Sequence, residues 1–421
     1  MTTAVRGAGA ELFKATRACA RELDLRDPLR SFRARFNLPK DKVYLVGNSL
    51  GLQPKKAREC VDRVMRDWAR LGVDGHLHAD TPWLPYHEFL TEPSARLVGA
   101  KPSEVVVMNT LTVNLHLLMV SFYRPTKERF KILIEKGAFP SDRYAALSQA
   151  RFHGFNPEEA VLEIAPRPGE DALRPDDILS TIERVGNSAA LVLFGSPNYL
   201  TGQAFDIKAI TETAHRKGCK VGFDLAHGAG NLLLRLHDWG ADFAVWCGYK
   251  YLNGGPGSLS GCFVHERHTR DRTLPRLEGW WGTNKKERFQ MKSAFNPIAT
   301  AEAWQLSNPP ILPLAALRAS LEIFDEAGMP AIRRKGDLLT GYLAFLLGRL
   351  PAGQARIITP AARGSQLSLR VREPREILGK RMAAAGVVCD FREPDIVRAA
   401  PAPLYNTFSD VFAFVEALGD A

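Results

Sequence analysis

The sequence predicts an α/β protein: a mostly parallel, doubly wound sheet in a large domain, followed by a smaller α/β domain. Three observations predict it. From about residue 100, short apolar runs alternate with amphipathic stretches. Those runs are rich in Val, Ile and Phe and lack polar alternation, as strands buried on both faces do. Asp224 and Lys250 each stand at or just past the end of such a run. Ligands of open α/β sheets sit beyond the carboxyl ends of the strands.

Each element follows from local pattern. Strands are expected at 104–108, 131–135, 190–194, 220–224, 243–247 and 261–265. Leu111 and Thr112 follow a strand and open a helix. Ile207, Ile210 and Ala214 share one face of a helix that stops at Lys217-Gly218, glycine being a common helix terminator. Strand and helix in alternation imply the doubly wound sheet. Ser307-Asn308-Pro309-Pro310 reads as the break after the large domain. A helical pattern runs over 314–327 and, past Gly328, on through Leu347. A strand at 366–371, a helix at 375–385 and a last helix at 409–418 complete the smaller domain. The expected division is 1–60, packing with the small domain, 61–310 as the large domain, and 311–421 as the small one.

Composition narrows the function classes. The 421 residues are 45% apolar and 24% charged, as in an ordinary soluble protein. The first 35 residues carry charges throughout, with no apolar core of a signal peptide. The longest apolar stretch, 111–122, is too short to span a bilayer and holds Thr112, Asn114 and His116. Cytoplasmic location and no membrane partner are expected. The cysteines at 19, 60, 219, 247, 262 and 389 form no CxxC pair, and with the ten histidines they make no zinc spacing; no metal is expected. The net charge of +10 is spread out, and Arg363, Arg370, Arg372, Arg375, Lys380 and Arg381 read as a solvated face. Without a basic patch or a recognised motif, no nucleic acid partner is expected. The glycine-rich 255–260 lacks the opening strand and helix of a dinucleotide fingerprint.

Lys250 is the most informative residue. It lies between Tyr249 and Tyr251, after an apolar run and before Gly254, Gly255 and Gly257. Burial disfavours an ammonium group, and a lysine that yields its proton near neutrality can bond covalently to a carbonyl. Upstream, Gly222-Phe223-Asp224 ends another apolar run. An aspartate and a lysine at strand ends are what pyridoxal 5'-phosphate (PLP) requires: the carboxylate holds the ring nitrogen protonated and the lysine carries the aldehyde. A lone lysine there is more often a snorkelling strand end; the aspartate shifts the balance.

Several motifs then appear in order: Gly47-Asn48-Ser49-Leu50-Gly51-Leu52, Met108-Asn109-Thr110-Leu111-Thr112, Ala138-Phe139-Pro140-Ser141-Asp142 and Thr201-Gly202-Gln203. They continue with Gly222-Phe223-Asp224-Leu225-Ala226-His227, His237-Asp238-Trp239-Gly240, Tyr249-Lys250-Tyr251-Leu252-Asn253, Gly279-Trp280, Ser307-Asn308-Pro309-Pro310 and Pro403-Leu404-Tyr405-Asn406. With them the chain strongly resembles the kynureninases, PLP-dependent enzymes of the fold type I, aminotransferase-like class, over roughly residues 40–410.

The resemblance implies site residues. Leu111 and Thr112 would hold the cofactor phosphate, as helix N-termini hold anions. Phe139 would stack on the ring. Asp142 would lie near its polar edge, although an aspartate there also reads as a helix cap. Asp224 would pair with the ring nitrogen, and His227 would stand close by. The family has a hydroxyl near the cofactor in the stretch 193–199, where this sequence departs from some relatives; Ser196 is the candidate. Tyr249 would serve at the phosphate and as a proton donor. Trp280 and Asn308 would reach the cofactor of a second subunit, which implies a homodimer with shared active sites. Arg398 would bind the substrate carboxylate bidentately. His76, Ser307 and Asn308 would surround the substrate's aromatic ring, a polar set that favours a 3-hydroxylated substrate.

The implied reaction is hydrolysis of L-kynurenine or 3-hydroxy-L-kynurenine to anthranilate or 3-hydroxyanthranilate plus L-alanine, in tryptophan catabolism or NAD biosynthesis. Lys250 would act as base at Cα, water would add to the γ-ketone, and the Cβ–Cγ bond would break. A cysteine desulfurase or another class V enzyme would share Asp224 and Lys250, but a desulfurase wants a reactive loop cysteine, and neither Cys262 nor Cys389 lies in such a loop. A silent binding relative would have no need of an intact Lys250, Asp224 and Arg398.

Overall fold

A computed structural model describes residues 13–419. The outer ends of the expected N-terminal segment and of the small domain, 1–12 and 420–421, lie outside the described residues.

The large sheet has seven strands: β1 (Val105–Met108), β2 (Lys131–Glu135), β3 (Val161–Ile164), β4 (Ala189–Gly195), β5 (Lys220–Asp224), β6 (Phe243–Trp246) and β7 (Ser260–Val264). Their order is β1-β7-β6-β5-β4-β2-β3. All neighbours pair in parallel except at β7, which is antiparallel to both β1 and β6. Six strands fall within a residue or two of expectation. β3 was not expected, because Glu163 interrupts a run of only four residues at the sheet edge, where an exposed side chain is tolerated.

Neighbouring residues of β1 explain why the strands read as unbroken apolar runs. Val105 and Val107 enter one core, Val106 and Met108 the other. The first core holds the Lys55–Leu71 and Ile311–Ala327 helices; the second holds the Leu111–Phe122 helix. That helix is the long apolar stretch, and its polar residues are used internally. Asn114 donates to Met108 O at 2.7 Å and Ser121 accepts from the Trp304 indole at 2.9 Å. Asn114 thereby ties the helix N-terminus to the end of β1.

The His237–Gly240 stretch has a structural place. Buried Glu104, just before β1, interacts with His237 Nδ1 at 2.9 Å and accepts the backbone N–H groups of Lys101 and Glu266. This joins three loops at the sheet end opposite the strand carboxyl ends.

A second sheet holds β8 (Ala355–Ile357), β9 (Leu367–Val371), β10 (Asp390–Arg392) and β11 (Ile396–Ala399), ordered β8-β9-β11-β10 and antiparallel throughout. The expected 375–385 helix is a short α-turn running into a π-helix over Ile377–Met382. The final helix is Phe408–Gly419. Cys19, Ala20, Leu23 and Leu45 share a third core with Leu339, Leu343, Val397 and Phe414. Several basic side chains read as a solvated face are paired there: Arg370 with Asp171 and Asp395, Arg375 with Glu393, Lys380 with Glu376. No helix among the described residues is long and apolar enough to cross a membrane, and Cys60, Cys219, Cys247, Cys262 and Cys389 are free thiols.

The Gly47–Gly51 loop crosses from this second unit onto the lysine turn. Gly51 N–H donates to Tyr249 O at 2.8 Å, and a Cβ at Gly51 would overlap Lys250 O and Asn253 Oδ1. Overpacking of this kind costs about 1–3 kcal/mol. Gly51→Ala is therefore expected to lower Tm by several degrees and to loosen the lysine turn, seen as faster cofactor loss on dialysis. Unchanged values for both would show that the close approach is not required.

Candidate active site

Three parallel strands converge on one cavity. β2 ends in Glu135, β5 ends in Asp224, and β6 ends at Trp246, four residues before Lys250. The lysine sits on a turn closed by Asn253 N–H to Lys250 O at 3.0 Å and Gly254 N–H to Gly248 O at 2.8 Å. Because the chain turns here, Tyr249 and Lys250 face the same cavity, which a continued strand would not permit. Lys250 is 8% exposed. Its Nζ lies 5.5 Å from the Phe139 ring centre and 5.8 Å from that of Tyr249.

The structure brings Leu111, Thr112, Phe139, Asp142, Asp224, His227, Tyr249 and Lys250 to the walls of this cavity. At one end the Leu111–Phe122 helix begins without a side-chain cap, so its first N–H groups are open to an anion. Asp142 lies in the first turn of the Pro140–Phe152 helix, whose cap is Phe139. It caps nothing: its Oδ1 is buried without a partner. Its carboxyl instead bonds to that of Asp224, whose Oδ1 also accepts Ala226 N–H at 2.7 Å.

Electrostatics set the protonation pattern. Burial, then the neighbouring charge of Asp224, holds Asp142 well above the carboxylate range. Asp224 is raised by burial but helped toward its charged form by the Asp142 bond and by Lys250. Of this pair, Asp142 carries the proton. Glu135 is pushed up to about 8, mainly by burial; Gly195 N–H, donating at 3.1 Å, offsets this only in part. His227 is kept neutral by burial and by the charges of Lys250 and Arg398. Burial also raises the Tyr249 hydroxyl, with the neighbouring Cys247 adding to the rise, so it stays protonated.

Other expected residues lie elsewhere. Ser196 is fully buried and does not line the cavity; its Oγ accepts Phe205 N–H at 3.2 Å. Arg398 is buried behind the wall residue Tyr199, whose carbonyl accepts Nη1–H at 2.6 Å. His76, Trp280, Ser307 and Asn308 stand away from this cavity on the same chain. Trp280 is exposed and its indole N–H donates to Arg288 O at 2.9 Å. Ser307 and Asn308 are exposed, and the His76 ring meets that of Trp83 at 5.5 Å. Sequence reasoning did not single out the wall residues Glu135, Ser141, Asn198 and Tyr199. For Glu135 the signal was present: a carboxyl ending an otherwise apolar parallel strand.

The chain matches the family described as aminotransferase class-V over residues 84–373 and the kynureninase C-terminal domain over 332–418. It is 64% identical to a kynureninase of Myxococcus xanthus, covering 97% of both chains. A kynureninase of Koribacter versatilis is 56% identical, with 97% of this chain and 98% of that one covered. The chain belongs to the kynureninase family. Membership accounts for the order of motifs from Gly47 to Asn406 and makes the chain a PLP-dependent enzyme of fold type I. Among solved structures, the cystine C–S lyase C-DES, in a mutant with glycine covalently linked to its PLP cofactor, superposes with a TM-score of 0.78. It is 16% identical, over 92% of this chain and 99% of that one. Cysteine desulfurase CsdA of Escherichia coli gives 0.75 at 20% identity, over 92% and 97%. These two likenesses are of fold.

The residues fit the kynureninase cofactor. An uncapped helix start suits its phosphate, and three buried carboxyl groups facing one lysine leave a place for a protonated ring nitrogen. The partnerless Asp142 Oδ1 lies in that place.

Glu135 gives the cavity a pH signature. Below 4.5 folded and unfolded chains both hold its proton; between 4.5 and about 8 only the folded chain does. Stability falls with pH wherever the folded state binds more protons. The cofactor-free protein is thus expected to lose thermal stability as pH rises through that window, and Glu135→Gln to lose less. Equal slopes for the two proteins would contradict the assignment.

Proposed function

We propose that the chain hydrolyses L-kynurenine and 3-hydroxy-L-kynurenine to the corresponding anthranilate and L-alanine, with PLP on Lys250, as a homodimer in the cytoplasm. The observation that carries this reading is the shared cavity of Lys250, Asp224 and Asp142 beside an open helix N-terminus. When bound, PLP supplies an electron sink that makes the substrate Cα proton removable.

The chain's own groups do the rest. N–H groups at Leu111 and Thr112 hold the phosphate. Asp224 would pair with the ring nitrogen, while Asp142 keeps its proton and bonds to Asp224. Phe139 packs against the ring face. Lys250 would carry the aldehyde and, as a free amine, would take the proton from the substrate Cα. Tyr249, held protonated by burial, donates to the carbon freed by cleavage. Arg398 takes the substrate carboxylate. Tryptophan breakdown and NAD synthesis are the two settings such a product serves. With the division 1–60, 61–310 and 311–421, the cofactor would belong to the middle unit and Arg398 to the last.

The homodimer reading rests on where the remaining residues lie. His76, Trp280, Ser307 and Asn308 stand off the cavity, and Trp68, Val73, Leu77 and Leu312 are apolar side chains left exposed. Trp83, against which His76 packs, lines an apolar groove with Trp68 and residues 310–313. A second copy docked on this face delivers the four residues to its neighbour's cavity. Mixing inactive Lys250→Ala with a Trp280→Ala or Asn308→Ala variant is expected to restore activity through hybrid dimers. A fully active monomer would overturn the shared site.

Incubation with kynurenine should yield anthranilate and alanine in equal amounts; no anthranilate would overturn the function. A site that pairs a ring hydroxyl penalises its absence, so His76, Ser307 and Asn308 imply a higher kcat/KM for 3-hydroxykynurenine. The double change His76→Trp with Asn308→Thr is expected to shrink that ratio. A wild-type preference for kynurenine, or an unaltered ratio, would remove these residues from specificity.

A further inference from the structure

We propose that Asp390 is the positioning residue for the substrate carboxylate: it holds the Arg398 guanidinium from the side, so that only its terminal edge is offered to substrate. The proposal rests on the reading of Arg398 given above. Asp390 and Arg398 are direct partners on the antiparallel strands β10 and β11. Arg398 Nε donates to Asp390 Oδ1 at 2.6 Å, and Nη2 donates to Oδ2. Nη1 donates to Tyr199 O at 2.6 Å.

These bonds decide what is left. A guanidinium has five N–H donors, and three are engaged here, one each on Nε, Nη1 and Nη2. The remaining two sit one on each terminal nitrogen; with Nη1 donating its outer hydrogen to Tyr199 O, they form the paired edge that a carboxylate accepts bidentately. Asp390 occupies the other paired edge, Nε with Nη2, and so denies it to substrate. Tyr199 fixes the distance from the reacting centre: its ring meets that of Phe139 at 5.2 Å, and Phe139 lies under Lys250. The chain Asp390–Arg398–Tyr199–Phe139 thus sets a carboxylate anchor relative to the lysine before any substrate arrives.

Charge alone predicts the opposite of geometry. A carboxylate beside Arg398 opposes a second carboxylate, so if charge dominated, removing Asp390 would tighten substrate binding. Geometry dominates here because the arginine is 1% exposed and its direction is set by the bonds it makes. A preorganised partner binds more tightly than one that must be ordered on binding.

The test uses the holoenzyme and two small amines read by the shift in cofactor absorbance. L-Alanine carries amine and carboxylate; ethylamine is the same amine without the carboxylate. Asp390→Asn leaves one acceptor and places an amide donor against the guanidinium. It is expected to raise the alanine Kd about tenfold or more, with ethylamine within about twofold. The kynurenine KM should rise while kcat stays within about threefold, the pattern of lost uniform binding. Asp390→Glu keeps both oxygens and should recover part of the alanine affinity; it also stands in if the asparagine variant does not fold, with an alanine Kd between wild type and Arg398→Ala. Unchanged or tighter alanine binding in both Asp390 variants, or equal losses for alanine and ethylamine, would overturn the proposal. Arg398→Ala separates the two readings: if it too leaves alanine binding unchanged, the role of Arg398 itself fails.

Discussion

Three carboxyl groups and one lysine share a buried cavity, and the rest of the structure is arranged around that imbalance. An ionised carboxylate removed from water without a partner is among the most unfavourable groups a fold can contain. The chain accommodates Glu135, Asp142 and Asp224 by leaving protons on the first two and placing the third beside Lys250. Parallel strands make the convergence possible, because β2, β5 and β6 all end on the same side of the sheet. A cationic ring nitrogen held here would offset what the protein leaves uncompensated. The site is thus electrostatically unfinished until the cofactor is present, a common trade of stability for function.

The large sheet was legible in the sequence because its strands are buried on both faces, so their apolar runs carry no competing signal. β3 was missed for the converse reason: an edge strand with Glu163 exposed looks like a loop. The helix expected at 375–385 has the right place but the wrong hydrogen-bond period, which side-chain pattern does not reveal. Within the site, Asp224 and Lys250 were visible from their positions after apolar runs. Phe139 and Asp142 were visible through the resemblance alone, since a phenylalanine and a helix-start aspartate have ordinary alternatives. Glu135 and Tyr199 follow only from three dimensions, where strand ends far apart in sequence meet. Ser196 shows the limit of position-matching: it lies beside the cavity, but its hydroxyl serves the backbone of Phe205.

Two features link the cofactor cavity to the second sheet. The Gly47–Gly51 loop closes on the lysine turn, where its backbone approaches too nearly for any side chain. Arg398 approaches from β11, tied to Tyr199 on the cavity wall. Asn48 adds to this junction by donating to Gln366 Oε1 at 2.9 Å, and Gln366 donates to Tyr199 O at 3.2 Å. Lys250, Asp224 and Glu135 sit at the ends of the large sheet, and in the proposed function the group that takes the substrate carboxylate, Arg398, comes from the second sheet packed over it.

The most direct test of the central claim is to reduce the holoenzyme with borohydride and map the labelled peptide. The account predicts a single cofactor-bearing lysine, Lys250, within the peptide that contains Tyr249 and Tyr251. Labelling at any other lysine, or none at all in protein that binds PLP, would contradict it.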